Sequence, residues 1–183
     1  GNSVATIGDY AFQLCYSLTS VTIPNSVKSI GHDAFSWCYK LSSISIGDSV
    51  MSIGYSAFEQ CSSLTSLNLS NKIEIIGDLA FEGCSGFSNA LYLPSTLVSI
   101  GRRAFNGCGF RGNLILPENL SHIGAGAFCG CGGFTGDLTI PKGVTSIGDQ
   151  AFIYCESLKE INIPESVTLI EKSAFRSCKS IEE

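Results

Sequence analysis

Ile7-Gly8-Asp9-Tyr10-Ala11-Phe12-Gln13-Leu14-Cys15 is one copy of a nine-residue skeleton that returns eight times along the 183-residue chain. Its leading isoleucines are Ile7, Ile30, Ile53, Ile76, Ile100, Ile123, Ile147 and Ile170, spaced by 23 or 24 residues. Ala-Phe follows at a constant offset, as in Ala34-Phe35 and Ala104-Phe105, and a cysteine closes each unit, from Cys15 to Cys178. A fixed period of roughly 20–29 residues marks a solenoid, in which each unit buries its apolar face only by stacking on its neighbours. Apolar residues make up 44% of the chain, enough for a continuous core in an elongated array.

Working outward from the skeleton, Leu41-Ser42-Ser43-Ile44-Ser45-Ile46 places apolar residues at positions one, four and six. The closing alternation, rich in β-branched residues, predicts a strand with one buried face, and residues 18–23, 64–69 and 158–163 repeat it. Pro24, Pro94, Pro117, Pro141 and Pro164 then stop the strand by removing a ladder donor. A second short alternation, such as Val27-Lys28-Ser29-Ile30, ends at a glycine in all units but the last, where Glu171 stands. That predicts a turn in which positive φ is not obligatory. Asp33-Ala34-Phe35-Ser36-Trp37-Cys38 is expected to form a single helical turn, too short to be stable alone. Ala suits close stacking and Phe fills the interior.

Three units vary in the same way: Phe87, Phe110 and Phe134 replace the strand's leading Leu, each after a glycine. With no linker, low-complexity run or charge block, one solenoid domain over residues 1–183 is expected. The chain opens on Gly1-Asn2-Ser3-Val4, which matches the middle of a repeat, and ends at Glu183 where a further strand is due. Both ends read as cuts within a longer protein, with Gly1 a cleavage scar.

Net charge of −5 offers none of the basic surface from which nucleic-acid recognition starts, and suits a dispersed monomer. The apolar runs span only a few residues, so no membrane insertion is expected in this segment.

Strand, proline and Ile-Gly-x-x-Ala-Phe-x-x-Cys together resemble the BspA-like (Treponema pallidum type) leucine-rich repeats, over essentially all of residues 2–181. The resemblance implies a right-handed leucine-rich-repeat solenoid, horseshoe-like but β-rich, with about eight turns and a parallel sheet on one face. It further implies an extracellular or cell-surface protein of bacteria, since the assigned members are mostly adhesins that bind host matrix proteins or other cells. It carries over no catalytic residue and no cofactor, because the motif is structural.

Nine cysteines invite metal or disulfide readings. Zinc sites need closely spaced Cys or His ligands, whereas eight of these cysteines stand 23 or 24 residues apart and only Cys129-Gly130-Cys131 is clustered. Stacked coils would set the ladder cysteines about 4.8 Å apart with parallel side chains, too far for the roughly 3.8 Å between the Cβ atoms of a disulfide. Buried free thiols are therefore expected, with Cys129 outside the ladder and partly exposed. His32 and His122 occupy variable turn positions and have no nucleophile and orienting acid beside them. The glycines between Gly130 and Gly136 lack the Gly-Lys-Ser/Thr ending of a phosphate loop. The sequons at Asn68 and Asn119 contain Leu69 and Leu120, which read as ordinary core positions.

Function is expected on the outward positions of the strand face, since solenoids bind along it. These positions form a Ser/Thr/Asn ladder (Ser20, Thr22, Ser43, Ser45, Ser66, Asn68) interrupted by Tyr92 beside Ile115 and Asn113, with Asp137 and Glu160 alongside. An exposed aromatic–aliphatic pair can anchor a protein partner. The alternative is an architectural spacer that displays another domain and has no ligand of its own.

Overall fold

The computed structural model describes residues 3–182; Gly1, Asn2 and Glu183, and the reading of both chain ends that depends on them, lie outside the described residues. The chain winds into a parallel β-solenoid of about seven turns, because eight Ile motifs bound seven intervals rather than eight full coils.

The longest ladder is built from the shortest segments. Thr6–Ile7, Ser29–Ile30, Ser52–Ile53, Ile75–Ile76, Ser99–Ile100 and His122–Ile123 form one six-stranded parallel sheet, in sequence order. Ser146–Ile147 pairs with Leu169–Ile170 in the same sense. Each register joins isoleucine to isoleucine, as in Ile30 to Ile53 and Ile53 to Ile76, so the buried residue of every pair stacks in a column.

The expected strand face is sheeted only at its two ends. Ser20–Thr22 pairs with Ser43–Ser45, and Phe134–Thr139 pairs with Leu158–Asn162 and Gly112–Asn113. Residues 64–69 and 87–93 form no strand there. Core spacing accounts for the change: Leu64 and Leu67 are three residues apart, whereas Phe87 and Leu91 are four apart, so equal pairing cannot continue across that step. Buried Leu64, Leu67, Phe87, Leu91 and Leu114 still turn inward, so the alternation of side chains survives where the ladder does not.

The helical turn expected at Ala-Phe is not formed; the described residues contain no helix. The fourth and eighth residues of every nine-residue unit instead have positive φ, as at Asp33 (51°), Trp37 (63°), Ser56 (48°) and Gln60 (58°). A left-handed residue every fourth position resets the chain before an α-helical hydrogen bond can close. Alternate N–H groups close tight turns within the coil, as Ser36 to Asp33 O at 3.1 Å. The others reach the next coil, as Phe35 to Ala57 O at 2.8 Å.

The glycine after each isoleucine has a different purpose from the turn expected of it. Its φ is not positive, but a Cβ on Gly54 would stand 2.7 Å from the carbonyl carbon of Gly31. The coils approach too closely at this corner for a side chain.

The core is a column of aromatic rings. From Phe12 through Phe35, Phe58, Phe81, Phe105, Phe128 and Phe152 to Phe175, successive rings stack with centroids 5.0–5.5 Å apart. Phe87, Phe110 and Phe134 add a second column whose rings meet the first edge-on, as Phe105 and Phe110 do at 74°. The three variant units thus replace a leucine row with a wider aromatic core.

Candidate functional site

The cysteine ladder is free thiol throughout the described residues. Cys38, Cys61, Cys84, Cys108, Cys131 and Cys155 are buried, but burial does not extend to the whole ladder: Cys15 is exposed and Cys178 half-buried, in the first and last coils. Each ladder thiol from Cys38 to Cys178 donates to the carbonyl oxygen of a core phenylalanine in the preceding coil at 3.1–3.3 Å. Burial, reinforced by the neighbouring Cys38 thiol, pushes Cys61 up to about 12, and burial raises Cys84 and Cys108 well above the ordinary thiol range. Neutral thiols of this kind are poor nucleophiles and poor metal ligands, so the ladder is structural. Among the described residues no three His, Cys, Asp or Glu side chains gather as a metal site. Cys129 is half-buried; burial raises it too, against the opposing pull of Arg103.

The histidines are exposed or nearly so and stand apart from any nucleophile. His32 acts locally, its Nδ1 accepting the N–H of Tyr55 at 3.0 Å. Asp9 Oδ1 accepts the N–H of His32 at 2.7 Å in the same way, and Asp78 Oδ1 that of Arg102 at 2.8 Å. A polar side chain at this position ties each turn to the next.

The face singled out by the outward positions is where surface relief develops. Tyr92 is 75% exposed and Ile115 73% exposed, the two most exposed large apolar side chains among the described residues. Leu91 and Leu93 on one side, and Leu114 and Leu116 on the other, turn inward and leave Tyr92 and Ile115 standing outward on adjacent coils. A groove of about 340 Å³ separates these coils, lined by Tyr92, Leu93, Asn113 and Ile115 with Pro117 and Glu118. A second groove of about 490 Å³ lies on the far side of Ile115, between that residue and Asp137, Ile140 and Lys142.

Asp137 and Glu160 are direct register partners in paired strands, so two exposed carboxylates sit side by side at the groove's end. Glu160 itself lines neither groove. Asn113 is engaged by the next coil, its Oδ1 accepting the Thr135 hydroxyl at 3.4 Å. Glu118, Lys142 and the proline-flanked floor do not follow from strand alternation, which stops at each proline. The recurring strand-end prolines are the signal in the sequence that this rim exists.

Stacked parallel coils around a phenylalanine column, with no catalytic constellation in their repeated motif, define a leucine-rich-repeat solenoid. The chain belongs to the BspA type leucine rich repeat region family, whose model matches in six copies over residues 5–134 and 88–183. A leucine-rich repeat protein of Treponema pallidum is 30% identical over 98% of this chain and 72% of its own crystallised chain, with a TM-score of 0.65. A leucine-rich cell surface protein from Faecalibacterium prausnitzii shares the fold at 23% identity and TM-score 0.53, over 98% of this chain and 76% of that one. A leucine-rich repeat protein from Eubacterium ventriosum does so at 19% identity and TM-score 0.68, over 94% of this chain and 57% of that one. No curated protein sequence matches the chain. No helix among the described residues is long and apolar enough to cross a membrane.

Proposed function

We propose that this solenoid is a non-enzymatic protein-interaction module of an extracellular or cell-surface protein, acting in adhesion to host or microbial surface proteins. It forms one uninterrupted, monomeric array within a longer polypeptide. Membership of the BspA-type family supports this, as does the fold shared with a protein described as a cell-surface protein. The observation that carries it is the placement of Tyr92 and Ile115. Two large apolar side chains stand largely in solvent on adjacent coils, beside grooves, on a face otherwise lined by small polar residues. Exposed aromatic and aliphatic groups next to concave surface are the usual anchors of protein recognition.

An architectural spacer is the second reading, favoured by the bland outward ladder of Ser20, Thr22, Ser43 and Ser45 in the first coils. The two separate on one experiment. Wild type and a Tyr92→Ser, Ile115→Ser double variant are compared for binding to a panel of matrix proteins and of host and bacterial cells. Adhesion through this face predicts binding by wild type that the double variant loses. Binding by neither leaves the spacer, and equal binding by both moves the contact elsewhere.

A further inference from the structure

The grooves flanking Ile115 coincide with a break in the main-chain ladder. Among the described residues, Leu91, Tyr92 and Leu93 make no main-chain hydrogen bond to a neighbouring coil, and neither do Leu114, Ile115 and Leu116. On the next coil the equivalent stretch is fully engaged on its far side: Leu138 and Thr139 pair with Ile161 and Asn162, and the N–H of Ile140 donates to Asn162 O at 2.9 Å. The solenoid is closed here by other contacts. The Ile76–Ile100 and Ile100–Ile123 pairs hold the opposite corner, and the phenylalanine columns hold the centre at 4.3 Å for Phe87–Phe110 and 5.5 Å for Phe81–Phe105. A row of unpaired donors and acceptors is thus held open, on one face only, beside the 340 and 490 Å³ grooves.

From this juxtaposition we infer that the open ladder around Leu114–Leu116 is a docking site for an extended polypeptide segment of the protein partner. Main-chain hydrogen bonds to the unpaired groups supply a register, as in strand addition to a sheet edge, and the flanking side chains supply selectivity. Backbone groups facing an apolar groove without partners are costly, and an incoming strand satisfies them on both sides. Tyr92 and Ile115 form the apolar walls. Glu118 and Asp137 are the acids that line the grooves, against one cation at Lys142, so the segment that fits alternates apolar with basic residues. The site rests on the interaction role proposed above and gives that role a partner chemistry.

The test uses the uniformly ¹⁵N-labelled chain and an acetylated, amidated (Lys-Val)₃ hexapeptide as probe. In the free protein the amides of Leu114, Ile115 and Leu116 should exchange far faster than those of Leu138 and Ile161. The peptide should slow and shift the first set and leave the second unchanged. The same peptide N-methylated at alternate residues loses main-chain donors and should bind about tenfold more weakly. An acidic (Glu-Val)₃ peptide should leave the amides unmoved. Native-like protection at 114–116 in the free protein overturns the site, because the ladder is then closed. Equal binding of the N-methylated peptide also overturns it. If the double variant loses a matrix protein or cell bound by wild type while neither peptide engages these amides, the interaction face stands and the strand-docking site alone falls.

Discussion

The thiol of Cys84 donates to the carbonyl oxygen of Phe58, 26 residues earlier, at 3.1 Å, and that same oxygen accepts the main-chain N–H of Cys61 at 3.2 Å. One acceptor therefore closes a turn within its own coil and anchors the next coil through sulfur. Alanine would forfeit the bond, and a larger residue would not fit beneath the phenylalanine column. This explains why a cysteine recurs without any chemistry attached to it. Each buried thiol holds its proton to higher pH than it would in the unfolded chain, where 9.0 is the ordinary value. The stabilisation is fully present below about pH 9 and is lost as pH rises toward about 12, because only the unfolded chain releases its thiol protons in that window. Denaturant melts should show a plateau to about pH 8 and a progressive loss above it, shallower in a Cys61→Ala variant. An alkaline slope unchanged by that substitution would assign the effect to other groups.

Reactivity should follow burial. In native protein a thiol reagent is expected to modify Cys15 first, then the half-buried Cys129 and Cys178 more slowly, leaving the six buried thiols until unfolding. The exposure of Cys15, more than that of Cys129, sets this order. Rapid modification of Cys84 under native conditions, read by peptide mass mapping, would contradict the packed ladder.

The phenylalanine column makes stability a matter of position. Phe81 is fully buried between Phe58 and Phe105, whereas Phe12 is 42% exposed and stacks on Phe35 alone. Phe81→Ala should cost about 3–5 kcal/mol, and Phe12→Ala clearly less, since a terminal coil loses one nearest-neighbour interface rather than two. Equal losses in urea melts would refute the stacked-coil energetics.

Much of this was legible in the sequence. The period, the inward isoleucines, the Ala-Phe column and the exposure of Tyr92 and Ile115 all follow from which residue types recur at which spacing. What was not legible is backbone conformation carried by residues that do not announce it. Asp33, Trp37, Ser56 and Gln60 occupy left-handed positions that the sequence marks with glycine only at Gly83, Gly107, Gly126 and Gly130, so six consecutive polar and apolar residues read as a helical turn. The break in the strand face was hidden for a related reason. Side-chain alternation continues through Leu91 and Leu114, and alternation reports which way side chains face, not whether neighbouring backbones are bonded.

Two glycines separate these conformational causes. Gly107 has φ of 69° with open space around it, and its counterparts are mostly larger residues such as Trp37 and Gln60. Gly107→Asn should therefore change stability by no more than about 0.5 kcal/mol, since Asn tolerates the left-handed region. Gly54 meets the backbone of Gly31 at 2.7 Å, and Gly54→Ala should cost about 1–3 kcal/mol by forcing two coils apart. A tolerated Gly54→Ala would mean the corner has slack that the close approach denies.

Asp137 and Glu160 bear on function through their charge. They are direct register partners on adjacent strands, and like charges placed opposite one another weaken the pairing. Nothing in the fold requires them: both are exposed, and the equivalent positions of the first coils hold serine and threonine. Asp137→Asn should accordingly raise the melting temperature by about 1 °C. If the pair serves the rim of an interaction face, the same change should carry a functional cost. A partner with basic residues at that rim is steered by the carboxylates, so association with whichever matrix protein or cell wild type binds should slow as salt increases. An Asp137→Asn, Glu160→Gln variant should associate more slowly at low salt and lose most of that salt dependence, with dissociation little changed. Surface plasmon resonance over a salt series reads both quantities. A variant that keeps the wild-type salt slope would show that steering comes from charges elsewhere and that these two acids are ordinary surface.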